Sequence, residues 1–203
     1  MLIENFSKAI ADSRNSCSWF GLYYGNVEHL LTKISDPKIY VEIGMAYGWH
    51  MESMAKKFPE VSCIGVDPYI PYDRSDAFCD FVCTIEPSVS DVENFNYFCE
   101  AVNLTLKQYP NFKHIRKNSV DALEDFDDNS IDLLFIDGDH RYECVKNECE
   151  KWWSKIKSGG IMCGDDYNQS DVKRAVDEFS ADKDLRFVNK TNKDYYTWCI
   201  RKG

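Results

Sequence analysis

Between Ile131 and Tyr167 the chain reads IDLLFIDGDHRYECVKNECEKWWSKIKSGGIMCGDDY, and this stretch restricts the possible folds more than any other. Ile131, Leu133, Leu134, Phe135 and Ile136 form a short apolar run of the kind that a parallel strand covered on both faces requires. The run stops at Asp137-Gly138-Asp139-His140. From Tyr142, apolar residues recur at helical spacing through Val145, Cys149, Trp152, Trp153 and Ile156, with Glu143 and Glu148 early and Lys155 and Lys157 late, as the helix dipole favours. Gly159-Gly160 reads as the end of that helix. A second apolar run, Ile161-Met162-Cys163, leads into Gly164-Asp165-Asp166. Two strands joined by one crossover helix carry their acids to the same edge of the sheet, where open α/β sheets bind ligands.

The chain has 203 residues, 44% of them hydrophobic, enough for one domain over residues 1–203 with a sizeable core. A formal net charge of −10 argues against nucleic acid and against an anionic membrane surface, because phosphate contacts need clustered Lys and Arg. The nine cysteines fall singly, without a CxxC pair, and several lie in apolar runs. They read as small hydrophobes in a reducing cytoplasm. With no signal peptide and no bilayer-length apolar run, sequons such as those at Asn103, Asn168 and Asn189 read as chance matches.

At the amino end, Leu2, Ile3, Phe6 and Ile10 suggest a short amphipathic helix. The aromatic cluster Trp19-Phe20-Gly21-Leu22-Tyr23-Tyr24 has no clear period and could serve as core, lid or the contact of a homo-oligomer. Residues 1–38 are thus expected to pack on the domain or to cover it. Asn26 is placed to cap a helix through Val27, Leu30, Leu31 and Ile34, stopped by Asp36-Pro37. An apolar strand from Ile39 then runs into Gly44-Met45-Ala46-Tyr47-Gly48 and a helix from about Met51. Such a turn lets a ligand approach backbone N–H groups, and it lacks the GxGxxG spacing that accommodates a pyrophosphate. Val61 to Val66 makes a second strand, ending in Asp67, where the ribose partner of a nucleoside should stand.

Glu42-x-Gly44-x-x-x-Gly48 followed by Asp67 resembles the cofactor half of the class I S-adenosylmethionine (SAM) dependent methyltransferases, over about Val41 to the end. The resemblance implies that the glycine turn, with Glu42, Gly44 and Gly48, holds the methionine part of SAM and that Asp67 binds the ribose hydroxyls. It puts His50 near the methionine carboxylate, Ser119 of Asn118-Ser119-Val120-Asp121-Ala122-Leu123 beside the adenine, and Asp137 within reach of the cofactor. Ala46 stands where many members have glycine, a departure shared by catechol O-methyltransferase-like enzymes. Tyr69 to Val89 has little period and reads as substrate cover or a surface insertion. A helix with Val92, Phe95, Phe98, Cys99, Val102 and Leu106 on one face follows, then a strand at Phe112 to Ile115. Beyond the acids, a helix through Val172 and Val176 precedes a hairpin of Leu185–Val188 and Tyr195–Ile200. The expected fold is α/β: a Rossmann-like three-layer sandwich with a seven-stranded, mostly parallel sheet and a C-terminal antiparallel hairpin.

Asp137, Asp139, Asp165 and Asp166 crowd four carboxylates at one edge, a costly arrangement unless a cation lies between them. Oxygen ligands suit Mg²⁺, Ca²⁺ or Mn²⁺. Asp at strand ends also caps and turns, and Asp139 or His140 could cap the next helix. DGDH followed by GDDY resembles the metal-dependent macrocin O-methyltransferase-like group, which methylates sugar hydroxyls. That resemblance implies Mg²⁺ or Mn²⁺ on Asp137, Asp165 and Asp166, Asp139 as the base with His140 as its competitor, and a small-molecule or glycan hydroxyl as acceptor. A catechol or other phenol is the alternative acceptor, and a non-catalytic SAM- or metal-binding module the alternative class.

Overall fold

The computed structural model describes residues 2–17, 21, 24–190 and 196–203. Trp19, Phe20, Leu22 and Tyr23 of the aromatic cluster, and Tyr195 at the expected start of the last strand, lie outside them.

Apolar runs too short for helices become strands β1 (Ile39–Ile43), β2 (Ser62–Val66), β3 (Phe112–Ile115), β4 (Ile131–Ile136), β5 (Ile156–Gly164), β6 (Leu185–Val188) and β7 (Thr197–Arg201). They form one sheet in the order β3-β2-β1-β4-β5-β7-β6, in which β7 pairs antiparallel with both neighbours and the other ladders are parallel. The sheet is therefore the expected seven-stranded one, closed by its antiparallel hairpin.

The helices are α1 (Leu2–Ser16), α2 (Tyr24–Leu31), α3 (Trp49–Lys57), α4 (Ala77–Thr84), α5 (Asp91–Leu106), α6 (Tyr142–Trp152) and α7 (Ser170–Phe179). Because side chains alternate along a strand, each central strand supplies both outer layers. Tyr40, Cys63, Leu133 and Phe135 pack with Phe6, Val27, Met54, Val82 and Phe98 from α1 to α5. Val41, Ile64, Leu134 and Met162 pack with Val145, Trp152, Val172 and Val176 from α6 and α7. All six residues of β4 are buried, including Asp132, whose carboxylate accepts the Lys38 and Ile39 N–H groups and the Lys157 ammonium. No helix among the described residues is long and apolar enough to cross a membrane.

Four local expectations change. Helix α6 ends at Trp152, a 3₁₀ turn covers Trp153–Lys155, and Gly159-Gly160 lies inside β5. There β5 shifts register against β4, so the pair marks an irregular strand instead of a helix stop. The Tyr69–Val89 segment contains α4, whose first N–H groups are accepted by Asp76. Helix α3 begins at Trp49, directly after the glycine turn. Asn26 is buried within α2, where it donates to Thr197 and accepts the Lys190 N–H, joining the helix to the hairpin strand.

Candidate active site

The strand order reverses between β1 and β4, and the carboxyl ends of those two strands are where a doubly wound sheet opens a crevice. Two turns meet there. Gly44 has φ +85°, and a Cβ on it would lie 2.2 Å from the Asp137 carbonyl oxygen, so only glycine lets the loop after β4 come this close. Gly48 has φ +72°, and its Cβ would strike Val102 of α5 at 2.6 Å. Both glycines of the motif are thus required by the fold before any ligand arrives.

Asp67, partly buried at the end of β2, ties the turn together. One carboxylate oxygen accepts the N–H groups of Met45 (2.9 Å) and Ala46 (3.2 Å), and the other accepts that of Tyr69 (2.8 Å). Burial raises its pKa even so, with the three N–H groups opposing that rise. Tyr69 returns its hydroxyl to the Ala46 carbonyl at 2.7 Å. Beneath them His114 Nε2 lies 2.9 Å from the Asp67 carbonyl oxygen, which makes Nε2 the protonated nitrogen, and burial pushes its pKa down toward this neutral form.

Glu42 and His50 are deeply buried next to this turn. Glu42 Oε2 accepts the Tyr40 hydroxyl at 2.8 Å and stands 3.1 Å from His50 Nδ1. The rings of Tyr24, from the start of α2, and His50 are 4.6 Å apart. The amino-terminal segment therefore reaches the site at Tyr24, a contact that no period in the sequence signals.

Across the crevice the acids sort themselves. Asp137, His140 and Asp166 each offer a ligand atom within 4.8 Å of the others. His140 Nε2 is 3.1 Å from Asp166 Oδ2 and 3.6 Å from Asp137 Oδ1. Although burial opposes protonation, the negative charge of Asp137, Asp166 and Asp165 pushes the His140 pKa up to about 9. Asp165 stays outside this trio; burial and its acidic neighbours push it up to about 8, and burial also raises Asp137. Compared with the expected set of Asp137, Asp165 and Asp166, the grouping exchanges Asp165 for His140.

Asp139 stands outside the trio and pairs with Arg141. Its carboxylate accepts the Arg141 guanidinium through Nε at 2.9 Å and through a shorter contact at Nη2, and the Arg141 backbone N–H at 3.0 Å. These bonds hold its pKa below the usual carboxylate value. Ser119, expected beside the base, donates its hydroxyl to Glu148 at 2.6 Å. Glu148 is no helix-dipole acid: it lies among the buried Val145, Cys149 and Trp152 of α6, and a polar residue on an apolar helix face was the available signal. Arg141, so close in sequence to Asp139, carried no such signal.

A family model described as a methyltransferase domain matches residues 41–167, which hold both turns and all the acids. Uncharacterized protein R132 of Acanthamoeba polyphaga mimivirus is 28% identical over 172 residues, 80% of this chain and 69% of that protein. Among solved structures, the O-methyltransferase NovP superposes with a TM-score of 0.63 at 17% identity, covering 89% of this chain and 79% of that one. CalS11, a TDP-rhamnose 3'-O-methyltransferase of calicheamicin biosynthesis, gives 0.58 at 14% identity, over 100% of this chain and 93% of that one. These two likenesses establish the common fold, while the family match covers the site itself. The chain belongs to the methyltransferase-domain family and is a class I SAM-dependent methyltransferase.

Proposed function

We propose that this enzyme transfers the methyl group of SAM to a hydroxyl of a sugar or glycan, with a divalent cation held at the edge of β4 and β5. The observation that carries the reading is the trio Asp137, His140 and Asp166 beside the glycine turn. The two carboxylates suit Mg²⁺ or Mn²⁺, the imidazole fits Mn²⁺ better than Mg²⁺, and without a cation the acids draw a proton onto His140 to offset their charge. Asp165, just outside, would complete the shell or orient it. A cation there would lower the pKa of the acceptor hydroxyl and align its oxygen. NovP acts as an O-methyltransferase and CalS11 on a sugar, which supports a hydroxyl acceptor.

The remaining roles fall to this chain's residues. The glycine turn presents the methionine end of SAM, Glu42 and His50 support it from below, and Asp67 meets the ribose hydroxyls. Asp139 takes the hydroxyl proton. Arg141 keeps it ionised, whereas His140 either already carries a proton or is engaged as a ligand. A methyl transfer of this kind depends chiefly on alignment and one proton acceptor.

The test is transfer from labelled SAM to a panel of sugar and phenol acceptors, with added Mg²⁺ or Mn²⁺ and after chelation. Transfer to sugars that stops with EDTA and returns with metal is expected; full transfer in EDTA removes the cation, and preference for phenols moves the acceptor. Asp139→Asn should lose about 10²-fold in turnover at unchanged SAM affinity. Near-normal turnover in that variant, with loss in His140→Ala, would hand the proton to the histidine.

A further inference from the structure

Glu148 is a buried acid that the proposed chemistry leaves unused. It is 5% exposed, and while one carboxylate oxygen accepts the Ser119 hydroxyl, the other has no partner among the described residues. An apolar side chain would fill this place on α6 without the cost of desolvating a carboxylate. The pair also borders the crevice. Glu148 Oε1 would be 3.8 Å from a Cβ on Gly138, and the Gly138 Cα would be 2.7 Å from a Cβ on Gly44. A serine hydroxyl has one proton to give. Here that proton goes to Glu148, so the Ser119 oxygen presents only lone pairs on its other side.

We propose that Glu148 sets the polarity of Ser119 and thereby selects a cofactor whose purine carries an amino group, not an oxo group, at its six position. The proposal rests on the cofactor placement above, in which Ser119 borders the base. An exocyclic amine donates into the lone pairs of Ser119. A 6-oxo purine turns its own lone pairs toward them and leaves both groups unsatisfied. Glu148 is a positioning residue: it touches no cofactor and acts through the serine. Burial pushes its carboxyl up to about 7, so at pH 8 it is mostly the ionised acceptor that this geometry needs.

The experiment is calorimetry at pH 8 with S-adenosylhomocysteine and its 6-oxo analogue, S-inosylhomocysteine. The native chain should prefer the adenosyl compound by about tenfold or more, the size of one mismatched hydrogen bond. Glu148→Leu should bind both, with the preference reduced to about threefold or less. Glu148→Gln, whose amide oxygen can accept the same hydroxyl, should restore most of it. Native preference in Glu148→Leu overturns the proposal, and so does equal loss in the Leu and Gln variants, which marks a packing effect. Should Glu148→Leu fail to fold, Ser119→Ala decides: it must weaken the adenosyl compound and spare the inosyl one, and unchanged affinity for both overturns the proposal. Binding of neither compound to the native chain would instead sink the cofactor placement on which it rests.

Discussion

The two sides of the crevice solve opposite problems. On the β1–β2 side the polar groups of the turn are paired within the protein. Ala46 and Tyr69 both sit at φ +44°, a strain of about 1–3 kcal/mol each for non-glycine residues, held in place by three N–H bonds to Asp67 and the Tyr69 hydroxyl. On the β4–β5 side, carboxylates face carboxylates, with His140 between Asp137 and Asp166 and Arg141 paired to Asp139. The first side is held by its own hydrogen bonds, so the proposed cofactor would meet a turn already formed. The second is a charge system that the proposed cation would complete. Cofactor affinity and turnover should therefore respond separately to mutation, and that separation can be attacked from either side.

The largest effect is expected at the acids. Asp137→Asn or Asp166→Asn removes a charged ligand and should cost about 10³-fold in turnover, equivalent to about 4 kcal/mol of transition-state stabilisation. For Asp166→Asn, S-adenosylhomocysteine affinity should change less than about threefold, and in both variants direct Mn²⁺ binding should fall in parallel with turnover. A loss of cofactor affinity as large as the loss of turnover would break the division into two sides.

Glu148 sharpens the comparison from the boundary. Its carboxyl titrates near 7 in the folded chain, above the ordinary 4.5, because burial penalises the charged form. The folded state therefore holds this proton more tightly than the unfolded one. The associated stability is complete below about pH 4.5 and lost as pH rises through about 7. Glu148→Gln has no such loss. Relative to the native chain it should gain stability across that window, by about 3 kcal/mol at most, and level off above it. Urea denaturation at successive pH values measures this, and a flat difference from pH 4.5 to 8 would show that the acid is not desolvated.

How much of each side could be read in the sequence follows from the same contrast. Strands β1, β2 and β4 announce themselves because burial on both faces demands mostly apolar residues, broken here only by Glu42 in β1, Ser62 and Gly65 in β2 and Asp132 in β4, and the glycines because two backbones approach closely there. The acids were legible as a cluster but not as partners. Asp165 and Asp166 are consecutive, and neighbours on an extended chain point to opposite faces, so sequence alone does not say which one meets Asp137. Asp166 at φ +55° faces His140, while Asp165 lies buried with its carbonyl accepting the Trp198 indole N–H. Arg141 and Tyr24 escaped for another reason: their contacts are set by a loop and by a helix start, where no periodicity operates. Gly159-Gly160 misled because the same dipeptide suits a helix end and an irregular strand.

On the paired side, Asp67→Ala is the direct attack. It removes the expected ribose contact and also frees three backbone N–H groups, so S-adenosylhomocysteine affinity should fall about 10- to 100-fold, in the range of a charge-assisted hydrogen bond worth about 1.5–3 kcal/mol. Native affinity in a folded Asp67→Ala protein, checked by circular dichroism and calorimetry, would show that the cofactor lies elsewhere.

The smallest and most discriminating change is Tyr69→Phe. The Tyr69 ring is 1% exposed and packs edge-on against His114, so phenylalanine keeps the packing and deletes one hydroxyl. What is lost is the 2.7 Å bond to the Ala46 carbonyl, the one contact by which Tyr69 holds the strained residue from the side opposite Asp67. A net hydrogen bond of about 1 kcal/mol is at stake. If the turn is preorganised, that energy holds Ala46 in its positive-φ conformation, and losing it lets the empty turn relax. The cofactor must then restore the conformation on binding. Affinity should drop about threefold to fivefold with a more unfavourable binding entropy, and turnover at saturating SAM should be unchanged, because the acid side is untouched. Equal affinity with lower thermal stability would mean that the hydroxyl serves folding alone. Lower turnover at saturation would mean that strain in the turn reaches the reacting methyl, and the two sides of the crevice would then have to be treated as one.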